Sequence, residues 1–132
     1  MKIEHIAIWT RDLERLKDYY VKFFNGKSHS KYLNPKTQFE SYFISFESGC
    51  RLELMTIPEF GKKDTDKFNH TGITHFAFEV DSKLEVDLKA EELRVAGFPI
   101  FKGPRITGDG YYEFETIDID GNKIEVITKQ TN

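Results

Sequence analysis

Apolar and polar residues alternate through positions 3–10, with Ile6 and Ile8 on one parity and Ile3, His5, Ala7 and Trp9 on the other. That period of two predicts a strand. The period lengthens in RDLERLKDYYVKFFNG, where Leu13, Leu16, Tyr20, Phe23 and Phe24 recur at helical spacing. Asp12 is placed to cap this helix and Asn25-Gly26 to stop it. HSKYL reads as a short strand ended by Asn34-Pro35. FESYFISFE and CRLELMTI flank Ser48-Gly49 as a hairpin. The polar stretch PEFGKKDTDKFNHTG, with its Pro and Gly, reads as a loop.

The order of elements then restarts. Positions 73–80 predict a strand, and DSKLEVDLKAEELRVAGF a helix with Ser82 and Glu85 in capping-box spacing and Gly97 beyond its end. PIFKG reads as a short strand. YYEFETIDID and NKIEVIT form a second hairpin around Asp120-Gly121-Asn122. Both halves therefore read β-α-β-β-β, the mark of a duplicated supersecondary unit. The expected boundaries are a module over 1–57, a loop over 58–72 and a module over 73–129. The expected class is α+β, one domain made of two tandem modules.

The repeat extends to chemistry. His5 and His75 each stand third in an apolar strand with an alanine two residues on, and Glu53 and Glu125 occupy matching hairpin strands at nearly the same offset. On each strand the opposite parity supplies the large apolar residues: Ile6, Ile8, Leu52, Leu54, Phe76, Phe78, Ile124 and Val126. A helix must cover that side of each sheet, so the His and Glu side chains share the other. Taken singly, a strand histidine packs in a core and a strand glutamate faces water. Repetition at matched positions changes that reading. Carboxylates on a dry face need compensation. A divalent ion compensates two at once, and two neutral imidazoles complete a His2Glu2 set suited to Zn, Ni, Co, Mn or Fe. Strand order does not follow from periodicity, so the meeting of the four is an inference. His29 and His70 are expected to face solvent.

Composition narrows the classes. The chain has 132 residues, 39% hydrophobic and 31% charged, with a formal net charge of −3. It carries no basic run of the kind that grips nucleic acid. No apolar stretch reaches membrane length and no signal-peptide pattern opens the chain, so a cytoplasmic location is expected. One cysteine, Cys50, excludes an internal disulfide and a CxxC metal site. Aromatics at 14% allow an apolar pocket.

The stretches EHIAIWTRDLERLKDYY, RLELM, GITHFAFEV and DIDGNKIEVI, in two β-α-β-β-β modules, resemble the vicinal oxygen chelate superfamily. That family includes glyoxalase I, bleomycin- and fosfomycin-resistance proteins and extradiol dioxygenases. Length and ligand set are most similar to small bacterial glyoxalase I (lactoylglutathione lyase). The resemblance implies cupped mixed sheets and His5, Glu53, His75 and Glu125 as metal ligands. It also implies a homodimer whose sites lie between subunits, with His5 and Glu53 from one chain and His75 and Glu125 from the other. The implied cofactor is Zn, Ni, Co or Mn. The implied activity is a lyase or isomerase reaction on a small oxygen-chelating substrate, such as a methylglyoxal–thiol hemithioacetal. Glu125 or Glu53 would act there as base for the C–H proton.

One departure bears on the thiol. Small bacterial glyoxalases carry an arginine four residues after the first ligand histidine, where this chain has Trp9. An indole does not replace a guanidinium on a carboxylate, so Arg11, Arg51 or Arg105 would have to serve a glutathione carboxylate. Trp9, Arg51, Met55, Tyr111 and Tyr112 are the expected substrate-binding residues. Gly108 and Gly110 in GPRITGDGYYE permit close backbone approach to a ligand, or mark an ordinary hairpin entrance. The competing readings are a non-catalytic antibiotic-binding protein, which the aromatics suit, and a thiol transferase of the fosfomycin-resistance type. The fourth ligand, Glu53, argues against the latter.

Overall fold

The computed structural model describes residues 3–58, 75–108 and 110–130. The chain divides into two compact units, Met1–His70 and Thr71–Asn132. The expected loop over 58–72 lies, apart from Pro58, outside the described residues, as does His70.

In the first unit, β1 (His5–Trp9) leads into α1 (Leu13–Phe24), then β2 (Lys27–Ser28), β3 (Tyr32–Leu33), β4 (Glu40–Ser45) and β5 (Arg51–Thr56). The sheet order is β1-β5-β4-β2, with β3 also on β4. Strands β1 and β5 run parallel and β4 and β5 antiparallel. Helix α1 starts where the sequence placed its cap: Asp12 Oδ1 accepts from the Arg15 amide at 3.0 Å. It ends at Asn25, whose left-handed backbone (φ 54°) lets the Gly26 amide reach the Tyr20 carbonyl at 3.0 Å. Its apolar stripe, Leu13, Leu16, Tyr19, Tyr20 and Phe23, is buried, as are Ile44, Leu52 and Leu54 of the sheet. Each such side chain contributes about 1.5–3 kcal/mol through removal from water. The strand expected over HSKYL is two short strands instead. The ladder to β4 is carried by Lys27–Ser28 and Tyr32–Leu33, with the His29 amide still donating to the Phe43 carbonyl at 2.9 Å between them.

The second unit repeats the plan with β6 (Phe76–Glu79), α2 (Lys83–Val95), β7 (Ile100–Ile106), β8 (Tyr111–Ile117) and β9 (Lys123–Lys129). Its order is β6-β9-β8-β7, again with the first and last strands parallel. Ser82 and Glu85 form the capping box in both directions. Val86, Ala90 and Leu93 of α2 are buried, as are Phe114, Ile124 and Val126 of the sheet. The short strand expected at PIFKG runs on to Ile106. It passes Gly103-Pro104, a cis peptide, through two register shifts. As the edge strand, β7 tolerates a proline without an amide. Gly103 (φ 86°) lies so close to β8 that a Cβ would stand 2.3 Å from the Glu113 carbonyl oxygen. At the β8–β9 turn, buried Asp118 accepts from the amides of Asp120 and Asn122, both at 2.9 Å.

Candidate metal-binding site

The parallel pairing of β1 with β5 fixes which side chains are neighbours. Ala7 is the register partner of Glu53, His5 of Arg51 and Trp9 of Met55. All six share the face turned away from α1. His5 reaches diagonally toward Glu53, with Nε2 and Oε2 3.7 Å apart and its ring edge-on to Phe43 at 5.4 Å. Its other ring nitrogen, Nδ1, meets the Glu4 carboxylate. Arg51 also holds Glu4, donating from Nε at 2.8 Å, and stacks over Phe43 at 4.1 Å. Hydrogen bonds from His5 first, and Arg51 next, keep the Glu4 carboxyl below the usual glutamate range. The Glu4 carboxylate on Nδ1 leaves Nε2 as the ring nitrogen turned toward Glu53, the kind of contact that orients metal-binding histidines.

The second unit builds the same pair. Ala77 is the register partner of Glu125, and His75 Nε2 lies 3.2 Å from Glu125 Oε2. Side chains of Glu53 and Glu125 are mostly buried, 16% and 14% exposed, while those of the histidines are 41% and 37% exposed. The neighbours differ. Glu115 stands beside Glu125 and Glu113 beside Ile127 on β8. Both are 9% exposed. Lys102 approaches Glu115 at 3.6 Å, and Arg105 approaches Glu113 at 4.0 Å.

Two donors bound about 2.1 Å from one cation lie about 3.0 Å apart at a right angle and about 3.4 Å apart at the tetrahedral angle. Each observed pair is within a few tenths of an ångström of that range. Neutral imidazole with carboxylate is also the donor mixture that first-row divalent ions take. The residues present therefore fit such an ion. Among the described residues no three His, Cys, Asp or Glu side chains form a metal-binding group; the donors meet two by two.

Trp9, Arg51 and Met55 share the face of His5 and Glu53, and Tyr111 shares that of Glu125, beside Lys129. Tyr112 does not. Its parity turns it toward α2, where its hydroxyl donates to Asp87 Oδ1 at 2.7 Å and Lys83 lies over its ring. The hydrogen bond to Asp87 raises its pKa. Arg11 lines a separate cavity of about 310 Å³ with Gln38, Glu40, Thr56, Ile57 and Pro58, none of them a donor of the pairs. His29 donates to or accepts from Ser45 Oγ at 2.6 Å on the surface. Gly110 (φ 89°) turns a tight loop whose Thr107 Oγ1 accepts from the Tyr111 amide at 3.1 Å. Sequence reasoning missed Glu4, Phe43, Glu113 and Glu115. The adjacent pair Glu4-His5 was a readable sign of a carboxylate beside the imidazole.

Two β-α-β-β-β units define a fold that the comparisons share. The family model described as the glyoxalase/bleomycin resistance protein/dioxygenase superfamily matches residues 4–114. The chain belongs to that superfamily. It is 27% identical over 131 residues to the uncharacterised protein YqjT of Bacillus subtilis strain 168, covering 95% of this chain and 97% of that one. Among solved structures, a glyoxylase/bleomycin resistance protein/dioxygenase domain from Frankia sp. EAN1pec superposes with TM-score 0.82 at 18% identity, covering 98% of both chains. Glyoxalase I from Zea mays gives TM-score 0.79 at 25% identity, covering 99% of this chain. The chain spans about half of the maize enzyme, 45%. No helix among the described residues is long and apolar enough to cross a membrane.

Proposed function

We propose that the protein is a metal-dependent lyase or isomerase of glyoxalase type, acting on a small substrate that offers two adjacent oxygens. The observation that carries this reading is the duplicated pair: His5 with Glu53 at 3.7 Å and His75 with Glu125 at 3.2 Å, at matching register positions. Each pair supplies half of a His2Glu2 set, and two chains of a homodimer complete the sets, one pair from each. A divalent cation held there supplies a Lewis acid for negative charge developing on substrate oxygen. The chain's own residues do the rest. His5 is oriented by Glu4, which keeps Nε2 on the reacting side. One of Glu53 and Glu125 takes the C–H proton of a thiol hemithioacetal and returns it to the neighbouring carbon. Arg51, Met55, Trp9 and Tyr111 bound the space in which substrate lies.

The test is elemental analysis of purified protein, followed by assay with methylglyoxal and several thiols after adding Zn, Ni, Co or Mn to metal-free protein. The expected result is one ion per chain, lost in His5→Ala and in Glu125→Gln, with product formed by at least one thiol. Protein that takes up no ion yet binds small aromatic antibiotics would replace this reading with a sequestering one. Ion uptake without turnover of any hemithioacetal would remove the lyase but keep the metal site.

A further inference from the structure

The His5–Glu53 face continues into an apolar shelf. Moving along β1 from His5, the next residue on that face is Ala7 and the one after it is Trp9. Across the sheet the Trp9 row reads Met55, Ser41, Tyr32. The Phe39 ring lies just outside this row and ties it together, meeting Trp9 at 6.3 Å and Tyr32 at 6.1 Å. Trp9 and Tyr32 nevertheless remain 43% and 54% exposed. The row carries no charge. Exposed rings gathered in one patch, beside donors able to chelate, mark a binding surface rather than a scatter of surface hydrophobics.

Distance sets the size of what fits. The imidazole of His5 meets Glu53 beside Ala7, and Trp9 is two residues further along the strand, about 7 Å at strand rise. A ligand chelated through two oxygens at the pair therefore extends one ring's length to reach the indole. Ala7 adds no bulk between the two.

We propose that this shelf is the specificity-determining subsite for a planar aromatic group carried by the chelating substrate, with Trp9 as its floor. The proposal rests on reading His5 and Glu53 as the chelating end of the site. Its chemistry is opposite to that of an anionic tail. A carboxylate brought over Trp9, Met55 and Tyr32 would lose water against three uncharged side chains, whereas a ring gains stacking and apolar burial.

Trp9 is the single tryptophan of the chain, so its emission reports on the shelf alone. The probes are benzohydroxamate and acetohydroxamate, which share one oxygen-chelating group and differ in phenyl against methyl. They are titrated into the full-length protein, metal-loaded and metal-free, following Trp9 emission and calorimetric Kd. The expected result is tighter binding of the phenyl compound by about tenfold, as one ring contact of ~1.4 kcal/mol gives. Calorimetry on Trp9→Ala should bring the ratio near one, and Trp9→Phe should keep most of it. Equal affinities in both metal states would overturn the proposal, and so would Trp9 emission inaccessible to acrylamide because a second copy or another segment of the chain covers it. Phenyl preference without metal uptake would keep the shelf and remove the metal reading; metal uptake without phenyl preference would do the reverse.

Discussion

On the proposed metal reading, replacing Ala7 or Ala77 by leucine should weaken metal binding about 10–100-fold while leaving the fold intact. Each alanine is the register partner of the glutamate that its histidine reaches for. The donor pair therefore forms directly beside the alanine methyl. Leucine fills that space with three more carbons, on strands whose axes lie about 4.8 Å apart. The geometry has little slack. Pair separations of 3.7 and 3.2 Å already border the ~3.0–3.4 Å that one cation requires. Displacing either donor by an ångström takes it out of the coordination sphere. Disturbing the positioning of a ligand costs about 10–100-fold in metal affinity, or ~1.4–2.7 kcal/mol.

Both alanines are exposed, so the change in intrinsic stability should stay within about 0.5 kcal/mol. The two effects separate in a thermal melt. At a cation concentration about 100 times Kd, binding stabilises the wild type by ~2.7 kcal/mol, and a hundredfold weaker site retains only ~0.4 kcal/mol. The metal-free Tm of Ala7→Leu and Ala77→Leu should match wild type, and the metal-induced rise in Tm should nearly vanish. A competition titration against a chromophoric chelator gives Kd directly. Ala7→Gly, which adds no bulk, is the control. If both leucine variants bind the ion as wild type does, the pairs are not the ligands.

Glu4→Gln keeps the shape but weakens the acceptor at His5 Nδ1, and should lower metal affinity about tenfold with no change in metal-free Tm, checked by the same titration. Gly103→Ala forces a Cβ to 2.3 Å from the Glu113 carbonyl at a φ of 86°, and should destabilise by about 2–4 kcal/mol, read by urea unfolding. Glu14 answers to pH. The hydrogen bond with Lys31, above all, holds its carboxyl below the usual glutamate range, so its contribution is present above the ordinary glutamate pKa and lost as pH falls through the depressed one. The carboxylate is half exposed, which limits the effect to about 0.5 kcal/mol. Glu14→Gln should lower Tm slightly at neutral pH, converge with wild type below the depressed pKa, and so flatten the acid limb of a Tm-against-pH curve.

Periodicity made the faces legible because strand parity is binary. Once Leu52 and Leu54 must be buried, Glu53 has one direction left, and the same holds for Glu125 between Ile124 and Val126. Caps were legible because Asp12, Asn25, Ser82 and Glu85 do local work within one helical turn. What failed was anything set by a neighbouring strand. Tyr111 and Tyr112 are adjacent and alike in chemistry, yet opposite parities send one to the donor face and the other to α2. The extent of β7 depended on β8 accepting two register shifts, the second of them spanning Gly103-Pro104. The carboxylates of Glu113 and Glu115 look like ordinary surface residues in sequence. Their burial comes from cross-strand neighbours, Ile127 and Glu125. The alanine two residues after each histidine was visible as a repeat, and its reason lies in the β1–β5 and β6–β9 registers.

The two units keep the donor pair and the small residue beneath it, and diverge in everything that surrounds the pair. In the first unit the neighbours are a clamped Glu4–Arg51 pair, Phe43 and the Trp9 row, so the surroundings are aromatic toward one end. In the second they are Glu113 and Glu115 with Lys102 and Arg105 at 3.6–4.0 Å. Those separations are too long for strong hydrogen-bonded ion pairs, and they leave the second face charged and polar. On the proposed reading the two donor pairs bring a substrate unlike walls, aromatic from the first unit and polar from the second. Selectivity on this account resides in the neighbours and reactivity in the pairs. Exchanging residues around Trp9 should then change which substrate is taken without changing which ion is held, whereas leucine at Ala7 or Ala77 should weaken the ion and with it the binding of every chelating substrate.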